Sequence, residues 1–241
     1  MNVISPTGTV HVVEQQFETD GGLLLTCGYH EGVRFSDPYV YGWPQTDKEV
    51  TCKNCLRTME RKDPLVYPYK VVETDDKDHI LLFWHGPLSQ WWYSPFVIGN
   101  ATYNCAEQYM MAQKARVFND LETLNEIMNA TGPYVDQKDF NQYPRLQQKL
   151  GRKVKNYVPQ VWDAVAKDTV IRASMAKFLQ DNRLRDFLIS TGDTILAEAS
   201  PYDKRWGIGL SDTNPKSGDI SRWRGTNWLG EVLMIVREYI K

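Results

Sequence analysis

The residue pattern changes near position 79, and this change divides the chain into two parts with different expected folds. Residues 1–60 contain several glycines and short apolar runs such as Leu23–Thr26, a pattern typical of short strands joined by turns. Residues 61–79 are strongly charged and contain two prolines, as linkers often do. Beyond them, the spacing of the apolar residues becomes mainly helical. The sequence therefore predicts an α+β fold: a small β module at 1–60, a linker at 61–79 and a helix-rich domain at 80–241.

The overall composition narrows the class of protein. Of the 241 residues, 42% are hydrophobic and 24% are charged, which suits a soluble globular protein. The formal net charge of −2 does not indicate a nucleic-acid-binding protein, so any such contact would depend on a local basic patch. No stretch approaches the ~18 apolar residues of a membrane span, and no apolar segment follows Met1. These features predict a cytoplasmic protein without a membrane partner.

Three of the four cysteines lie in the N-terminal part and have the spacing of a zinc site. Cys52 and Cys55 form a CxxC motif, and Cys27 begins a CxxH motif that ends at His30. His11, on a strand-like segment, is the other candidate for the fourth ligand, and spacing does not choose between the two histidines. A module with so small a core needs a bound metal or a covalent cross-link for stability, so the sequence predicts a structural zinc ion. The alternative is a set of reduced cysteines without a metal.

One predicted helix carries two charges on an otherwise apolar run. The segment from about residue 105 to 118 contains Glu107 and Lys114, seven positions apart and hence on nearly the same face. Unpaired buried charge is costly, so the two form a structural ion pair or belong to a functional site. Glu107 has a third possible role, because it lies three positions after Asn104 and completes a capping-box pattern.

The rest of the C-terminal part predicts further helices and a strand. A long helix begins at Pro159, in the favoured first-turn position, and extends to about residue 180. Residues 195–199 form a strand, and residues 229–240 form a closing amphipathic helix. The apolar residues expected on the buried face of the long helix are Trp162, Val165, Ile171, Met175 and Phe178.

The C-terminal part carries an ordered set of motifs that resembles the NADAR family, also called YbiA-like proteins. These motifs are Trp92–Phe96, Glu107–Ala115, Leu150–Arg152, Leu196–Asp203, Trp206–Leu210 and Gly225–Met234. The resemblance covers roughly residues 80–241 and implies an N-glycosidase without a redox cofactor. Its substrate would be an ADP-ribosylated guanine or a ribosylamino-pyrimidine phosphate of the riboflavin pathway. The N-terminal module resembles the zinc ribbons of phage proteins, which would place a phage-encoded protein in the host cytoplasm.

The resemblance implies three catalytic residues. Cleavage of a ribosyl C–N bond builds positive charge at C1, and Glu107 would stabilise that charge or activate water. Lys114 would attack the ring-opened aldehyde to form a Schiff base, or would act through its charge alone. Asp203 would serve as the acid or as an acceptor for a ribose hydroxyl, with a turn aspartate as the alternative.

Five further residues are expected to bind the substrate. Arg152 would hold a phosphate, and Trp206 would stack on the base or else pack in the core. Glu198 is expected to face the same pocket, and Tyr109 belongs to the motif that contains Glu107. Asn227 would contact the substrate or cap the last helix.

Two other functions compete with the enzyme. A non-catalytic module would bind ADP-ribose or nucleic acid, and a zinc-dependent adaptor would use the large domain only as a scaffold. Retention of both Glu107 and Lys114 argues against a module that only binds. Basic residues around the CxxC motif would allow contact with DNA or RNA, and they include Lys53, Arg57, Arg61 and Lys62.

Overall fold

The computed structural model describes residues 65, 67–74, 78–132 and 140–241, together with the backbone of five strands in the first 46 residues. The chain divides into two compact units. One comprises Met1–Pro64 with Val97–Thr102, and the other comprises Leu65–Phe96 with Tyr103–Lys241.

The N-terminal unit contains an antiparallel sheet. Its described strands have the order β4-β3-β2-β1-β5. They are β1 (Asn2–Ile4), β2 (Val10–Gln16), β3 (Leu23–Leu25), β4 (Tyr39–Val40) and β5 (Gln45–Thr46). His11 lies on β2 opposite Val3, while Cys27, His30, Cys52 and Cys55 lie outside the described residues. The zinc site therefore stays a prediction.

The C-terminal unit is built on a sheet of order β10-β7-β6, which comprises β6 (Lys70–Glu73), β7 (His79–Phe83) and β10 (Ile195–Glu198). Strand β7 pairs antiparallel with β6 and parallel with β10. Ile80–Phe83 are all buried, as expected for the central strand of a covered sheet. The prediction of a linker at 61–79 is thus wrong for Lys70–Glu73, which form strand β6. Strand β6 is an edge strand with mostly exposed side chains, so its charged composition resembles that of a linker.

Six helices and a hairpin complete the described residues. The hairpin joins β8 (Phe96–Ile98) to β9 (Ala101–Tyr103). The helices are α1 (Ala106–Val117), α2 (Leu121–Asn129), α3 (Gln142–Gly151), α4 (Pro159–Leu179), α5 (Asn182–Ser190) and α6 (Trp228–Ile240), with a short 3-10 helix at Ile220–Arg222. Helix α1 packs against α2, α3 and α4, and α6 packs against α4 and β10. The predicted helices at 105–118, 159–180 and 229–240 and the predicted strand at 195–199 are confirmed.

Helix α4 buries a different face from the one that the apolar residues indicated. Trp162 and Phe178 are buried as expected, but Val165 is exposed and Ile171 and Met175 are only partly buried. The buried face consists largely of small residues, which allow neighbouring elements to approach closely. It comprises Trp162, Ala166, Thr169, Val170, Ala173, Ser174, Lys177 and Phe178. The unexpected member is Lys177, whose charge is enclosed in the core.

None of the described helices is long and apolar enough to cross a lipid bilayer.

Candidate active site

Glu107 lies in the first turn of α1 and faces inward. Its residue is 2% exposed, and its backbone N–H donates to the carbonyl oxygen of Gln90 at 3.1 Å. The Trp91 side chain donates a hydrogen bond to the carboxyl group. The other carboxyl oxygen, Oε1, is buried and accepts no hydrogen bond from any described residue. Helix geometry therefore directs a carboxyl group into the interior and leaves part of it available to a ligand.

The capping-box role of Glu107 is wrong. The helix begins after Cys105, which makes no side-chain capping bond. The backbone N–H of Asn104 donates to Oε1 of Gln108 at 2.8 Å. Gln108, and not Glu107, therefore makes the side-chain contact with the backbone that precedes the helix. The Asn104 side chain turns away and accepts from Nε2 of Gln147. Because Gln108 satisfies the helix start, the carboxyl group of Glu107 is not needed there.

Glu198 and Asp203 approach from the opposite side, at the end of β10 and in the loop that follows. The backbone N–H of Glu198 donates to Oδ1 of Asn227 at 3.0 Å, and the carboxyl Oε2 is buried without a partner in the described chain. Asp203 accepts the backbone N–H groups of Arg205 and Trp206 on Oδ1, each at 2.8 Å. Asp203 is therefore a turn aspartate whose carboxyl group also faces the ligand cavity.

These carboxyl groups meet in a small cavity, which we call the carboxyl cavity. Its volume is about 60 Å³, above the ~10–15 Å³ that one water molecule requires. Its lining combines three carboxyl groups with amide, hydroxyl and indole groups. The lining residues are Ser89, Gln90, Trp91, Glu107, Met110, Gln148, Glu198, Asp203 and Trp206. Three buried oxygens of this lining, from Gln90, Glu107 and Glu198, have no hydrogen-bond donor among the described residues.

The pKa of each buried glutamate is shifted strongly upward. Burial raises the pKa of Glu107 to about 8, and the charge of Asp203 raises it further, while the Trp91 hydrogen bond and the charges of Arg152 and Lys114 lower it. Burial also raises the pKa of Glu198 to about 8, and the charges of Asp203 and Glu107 raise it further. Cations therefore favour the ionised form of Glu107, whereas the neighbours of Glu198 are acidic. The two pKa values are alike, and the charges around the pair favour the arrangement in which a single shared proton lies on Glu198.

Three cations lie close to one another beside this cavity without lining it. The ammonium of Lys114 is half-buried and lies 4.2 Å from the centroid of the Tyr157 ring. Its pKa is lowered by burial and by the charges of Arg152 and Arg205, while Glu107 acts in the opposite direction. Glu107 and Lys114 do not form an ion pair among the described contacts, so that alternative is wrong. Mutually repelling cations at one place are favourable for a multiply charged anion.

Besides Arg152, two of the predicted substrate-binding residues lie outside the cavity. Tyr109 packs against Tyr103 with ring centroids 4.9 Å apart and belongs to the aromatic core. Asn227 makes no capping bond, since its side chain donates to the carbonyl of Leu196 and accepts from the N–H of Glu198. Asn227 thus fixes the end of β10 and, through it, the position of Glu198.

Trp206 packs in the core and also lines the cavity, while its stacking on a base stays a prediction. It is 9% exposed and packs edge-on against Trp228 at 5.6 Å, yet it also lines the cavity. The glycine that follows is required by close backbone packing, because a Cβ at Gly207 would lie 2.8 Å from the carbonyl oxygen of Glu198. The loop that carries Asp203 and Trp206 is thereby held against β10.

Sequence reasoning missed the segment that closes the cavity. Ser89, Gln90 and Trp91 precede the quoted motif and carry no motif signal of their own. Lys177 holds this segment in place, because its ammonium donates to the carbonyl oxygens of Pro87 at 2.6 Å and Ser89 at 2.9 Å. Burial lowers the pKa of Lys177 to about 7. A detectable signal was the position of Lys177 on a helix face made of small residues.

The described residues contain no group of three or more histidine, cysteine or acidic side chains that could hold a metal. The predicted zinc ligands fall outside the side chains that are described, so they do not enter this comparison.

In this helix-rich α+β unit, buried carboxyl groups of raised pKa line a small cavity. A protein of this class is suited to acid–base chemistry. Residues 82–241 match the NADAR domain. This match covers more than half of the chain, which therefore belongs to the NADAR family.

Individual relatives agree with this assignment. The chain is 37% identical over 155 residues to N-glycosidase R617 of Acanthamoeba polyphaga mimivirus, covering 62% of this chain and 85% of the relative. It is 38% identical over 138 residues to protein irg-1 of Caenorhabditis elegans, covering 56% of this chain and 60% of that protein. An NMR structure of the E. coli protein YbiA matches with a TM-score of 0.53 and 25% identity, covering 70% of this chain and 88% of that chain.

Proposed function

We propose that this protein is an N-glycosidase that hydrolyses the ribosyl C1–N bond of an ADP-ribosylated guanine. A ribosylamino-pyrimidine phosphate is the alternative substrate of the same reaction. The observation that carries the proposal is the set of three buried oxygens without donors around one cavity. Ribose hydroxyls and an amine N–H would supply the missing donors, and the N-glycosidase name of R617 supports the reaction type.

The two glutamates divide the chemistry between them. As the C1–N bond breaks, Glu198 transfers its proton to the departing nitrogen, because its acidic neighbours make it the residue that retains a proton. Glu107, as the carboxylate, stabilises the positive charge that develops at C1. A water then adds its oxygen to C1 and releases its proton to a carboxylate. The products are the free sugar and the protonated base, and both carboxyl groups return to their starting states.

The cavity size fits this division. About 60 Å³ accommodates the attacking water and the edge of the sugar that carries C1, but not a whole nucleotide. Asp203, fixed by two backbone N–H groups, would accept a ribose hydroxyl at the wall of the cavity. The bulk of the substrate would therefore lie outside the carboxyl cavity.

Phosphate recognition belongs to the three cations beside the cavity. Lys114, Arg152 and Arg205 lie close enough for their charges to lower the pKa of Lys114. Three cations suit a diphosphate better than a single phosphate, and this favours the ADP-ribosyl substrate over the pyrimidine phosphate. Arg205 already forms an ion pair with Asp163, so its charge would be shared between Asp163 and the diphosphate.

Lys114 has a second possible role. Its lowered pKa would increase the fraction of neutral amine, which can add to C1 of the ring-opened substrate, where C1 is doubly bonded to the nitrogen of the base, and expel the base as a free amine to leave an imine between C1 and Lys114. Hydrolysis of the imine would then return the lysine and the sugar. The ammonium does not line the carboxyl cavity, so this route requires the side chain to leave the Tyr157 ring.

The decisive experiment incubates the protein separately with an ADP-ribosylated guanine oligonucleotide and with the ribosylamino-pyrimidine phosphate, and measures released sugar by chromatography. We expect free ADP-ribose from the first substrate and far less turnover of the second. Turnover of the pyrimidine alone would reverse the substrate assignment. No turnover of either, together with tight ADP-ribose binding, would instead identify a non-catalytic binding module.

A further inference from the structure

A second and larger cavity lies next to the carboxyl cavity. Its volume is about 420 Å³, and it is lined by Tyr67, His85, Gly86, Ser89, Trp91, Trp92 and Asn141. We call it the aromatic cavity, since three of its seven lining residues are tyrosine or tryptophan. A volume of this size falls within the ~300–1,000 Å³ typical of small-molecule sites.

The two cavities are neighbours because they share two walls. Ser89 and Trp91 line both of them, and Trp91 also donates its side-chain hydrogen bond to Glu107. A ligand whose reacting atom faces Glu107 would therefore have its next group within reach of the aromatic cavity. In an N-glycoside, the group bonded directly to C1 is the base.

Two rings nearly perpendicular to each other, Tyr67 and Trp92, form walls of the aromatic cavity. The Tyr67 ring meets the Trp92 ring edge-on with centroids 6.0 Å apart, and it lies 4.6 Å from the Tyr69 ring. Gly86 permits this packing, because a Cβ at that position would lie 2.6 Å from Cζ of Tyr67. Flat rings held in place in this way suit a planar aromatic ligand.

The rim of the cavity adds polar and aromatic surface. His85 is exposed and stacks on Trp84 with centroids 4.9 Å apart and an angle of 23° between the rings. An imidazole at the edge of an aromatic cavity offers a hydrogen-bonding group to the edge of a base.

We propose that the aromatic cavity binds the leaving nucleobase, with the base against Trp92 and Tyr67 and its edge towards His85. This inference rests on the proposed function, because it places the base relative to the C1 atom held at Glu107. The adenine of an ADP-ribosyl group is separated from C1 by a ribose and a diphosphate. Because the adenine is so far from C1, it is not the group that would enter the aromatic cavity when C1 faces Glu107.

Two variants test this placement in the full-length protein. Trp92→Leu removes a wall, and His85→Ala removes an exposed rim group with little risk to folding. His79→Ala is the matched control, since it removes another exposed histidine that does not line the cavity. The measurements are kcat and KM for ADP-ribosylated guanosine, and the inhibition constants of guanosine and of ADP-ribose.

We expect Trp92→Leu to raise both KM and the guanosine inhibition constant about tenfold, in line with the loss of one base-stacking contact. His85→Ala should raise both about threefold, while the ADP-ribose inhibition constant stays unchanged in both variants. If Trp92→Leu does not fold, the His85→Ala values alone decide. The inference is overturned if the ADP-ribose constant rises instead, or if the guanosine constant changes in neither variant. Absence of any turnover by the unaltered protein would refute the proposed function, and the dissociation constants of guanosine and ADP-ribose for the same variants, measured by calorimetry, would then test the cavity.

Discussion

The two cavities that meet at Trp91 differ in size, polarity and exposure. The carboxyl cavity has about 60 Å³ and holds buried acids whose pKa values are raised to about 8. The aromatic cavity has about 420 Å³ and is bounded by rings and an exposed histidine. Proton transfer benefits from a small, dry site in which a carboxyl group stays protonated, whereas recognition of a base needs a wide, flat surface. One loop, held by Lys177, serves both requirements at once.

Glu107→Gln tests the carboxyl cavity most severely. The amide keeps the shape of the side chain but cannot carry the negative charge that stabilises C1. We expect kcat to fall at least ~100-fold, with little change in the binding of ADP-ribose. Steady-state kinetics and calorimetry measure the two effects. Glu126→Gln removes an exposed carboxylate on α2 and should leave both values unchanged. Equal losses in the two variants would exclude a specific role for Glu107.

Lys114 distinguishes covalent from electrostatic catalysis. If it only binds phosphate, Lys114→Ala should reduce kcat/KM about 10- to 100-fold and Lys114→Arg should restore most of the activity. If it forms an imine, borohydride added during turnover should attach the sugar to the protein, and mass spectrometry should locate the adduct on Lys114. Lys114→Arg would then be inactive. An adduct on another lysine would contradict both roles.

Glu198→Gln should stabilise the protein more at pH 8 than at pH 5. The pKa of Glu198 is about 8 in the folded protein against 4.5 in the unfolded chain. The carboxyl group therefore contributes most below pH 4.5, and this contribution is lost as the pH rises through 8. A neutral amide avoids that loss, which is on the order of 2 kcal/mol in the free energy of unfolding. The melting-temperature difference between Glu198→Gln and the unaltered protein should therefore be about 4–8 °C larger at pH 8 than at pH 5. A difference that does not depend on pH would show that Glu198 is ionised at both values.

Gly86→Ala tests the wall of the aromatic cavity. The new Cβ would meet the ring of Tyr67 and the hydroxyl oxygen of Tyr69, in addition to the backbone strain of a φ of 81°. Gly192→Ala is the matched control, because Gly192 has a φ of 56° but nothing lies within 4 Å of its Cβ position. We expect Gly86→Ala to be about 1–2 kcal/mol less stable than the control in thermal denaturation, and to have a higher KM. Equal stabilities would mean that Tyr67 does not form a fixed wall.

The sequence predicted the elements that follow from local rules. Helices α1, α4 and α6 and strand β10 were predicted from apolar spacing, the first-turn position of Pro159 and a short apolar run. The family motifs identified Glu107, Glu198, Asp203 and Trp206, which line one cavity. The N-glycosidase expected from those motifs agrees with the name of the relative R617.

Features that depend on contacts between distant parts of the chain were not predictable. Lys177 bonds to carbonyl oxygens about ninety residues away, so no local pattern reveals the partners of its ammonium group. Similarly, Glu107 looked like a capping residue because the pattern does not show that Gln108 reaches Asn104 first. Arg205 lies near Lys114 only because of the fold of its loop. These examples show that spacing predicts which face of an element a residue occupies, but not which partner it finds there.

The central claim is that a buried, protonated carboxyl group delivers the proton to the departing base, and the dependence of kcat/KM on pH tests it most directly. A group that must be protonated and has a pKa of about 8 is active below that pH and inactive above it. We expect a bell-shaped profile with its maximum near pH 8, because Glu107, whose pKa is also about 8, must be ionised while Glu198 is protonated. The tenfold decrease for each pH unit on the alkaline side should be absent in Glu198→Gln. A rate that stays constant or rises between pH 8 and 10 would contradict the central claim.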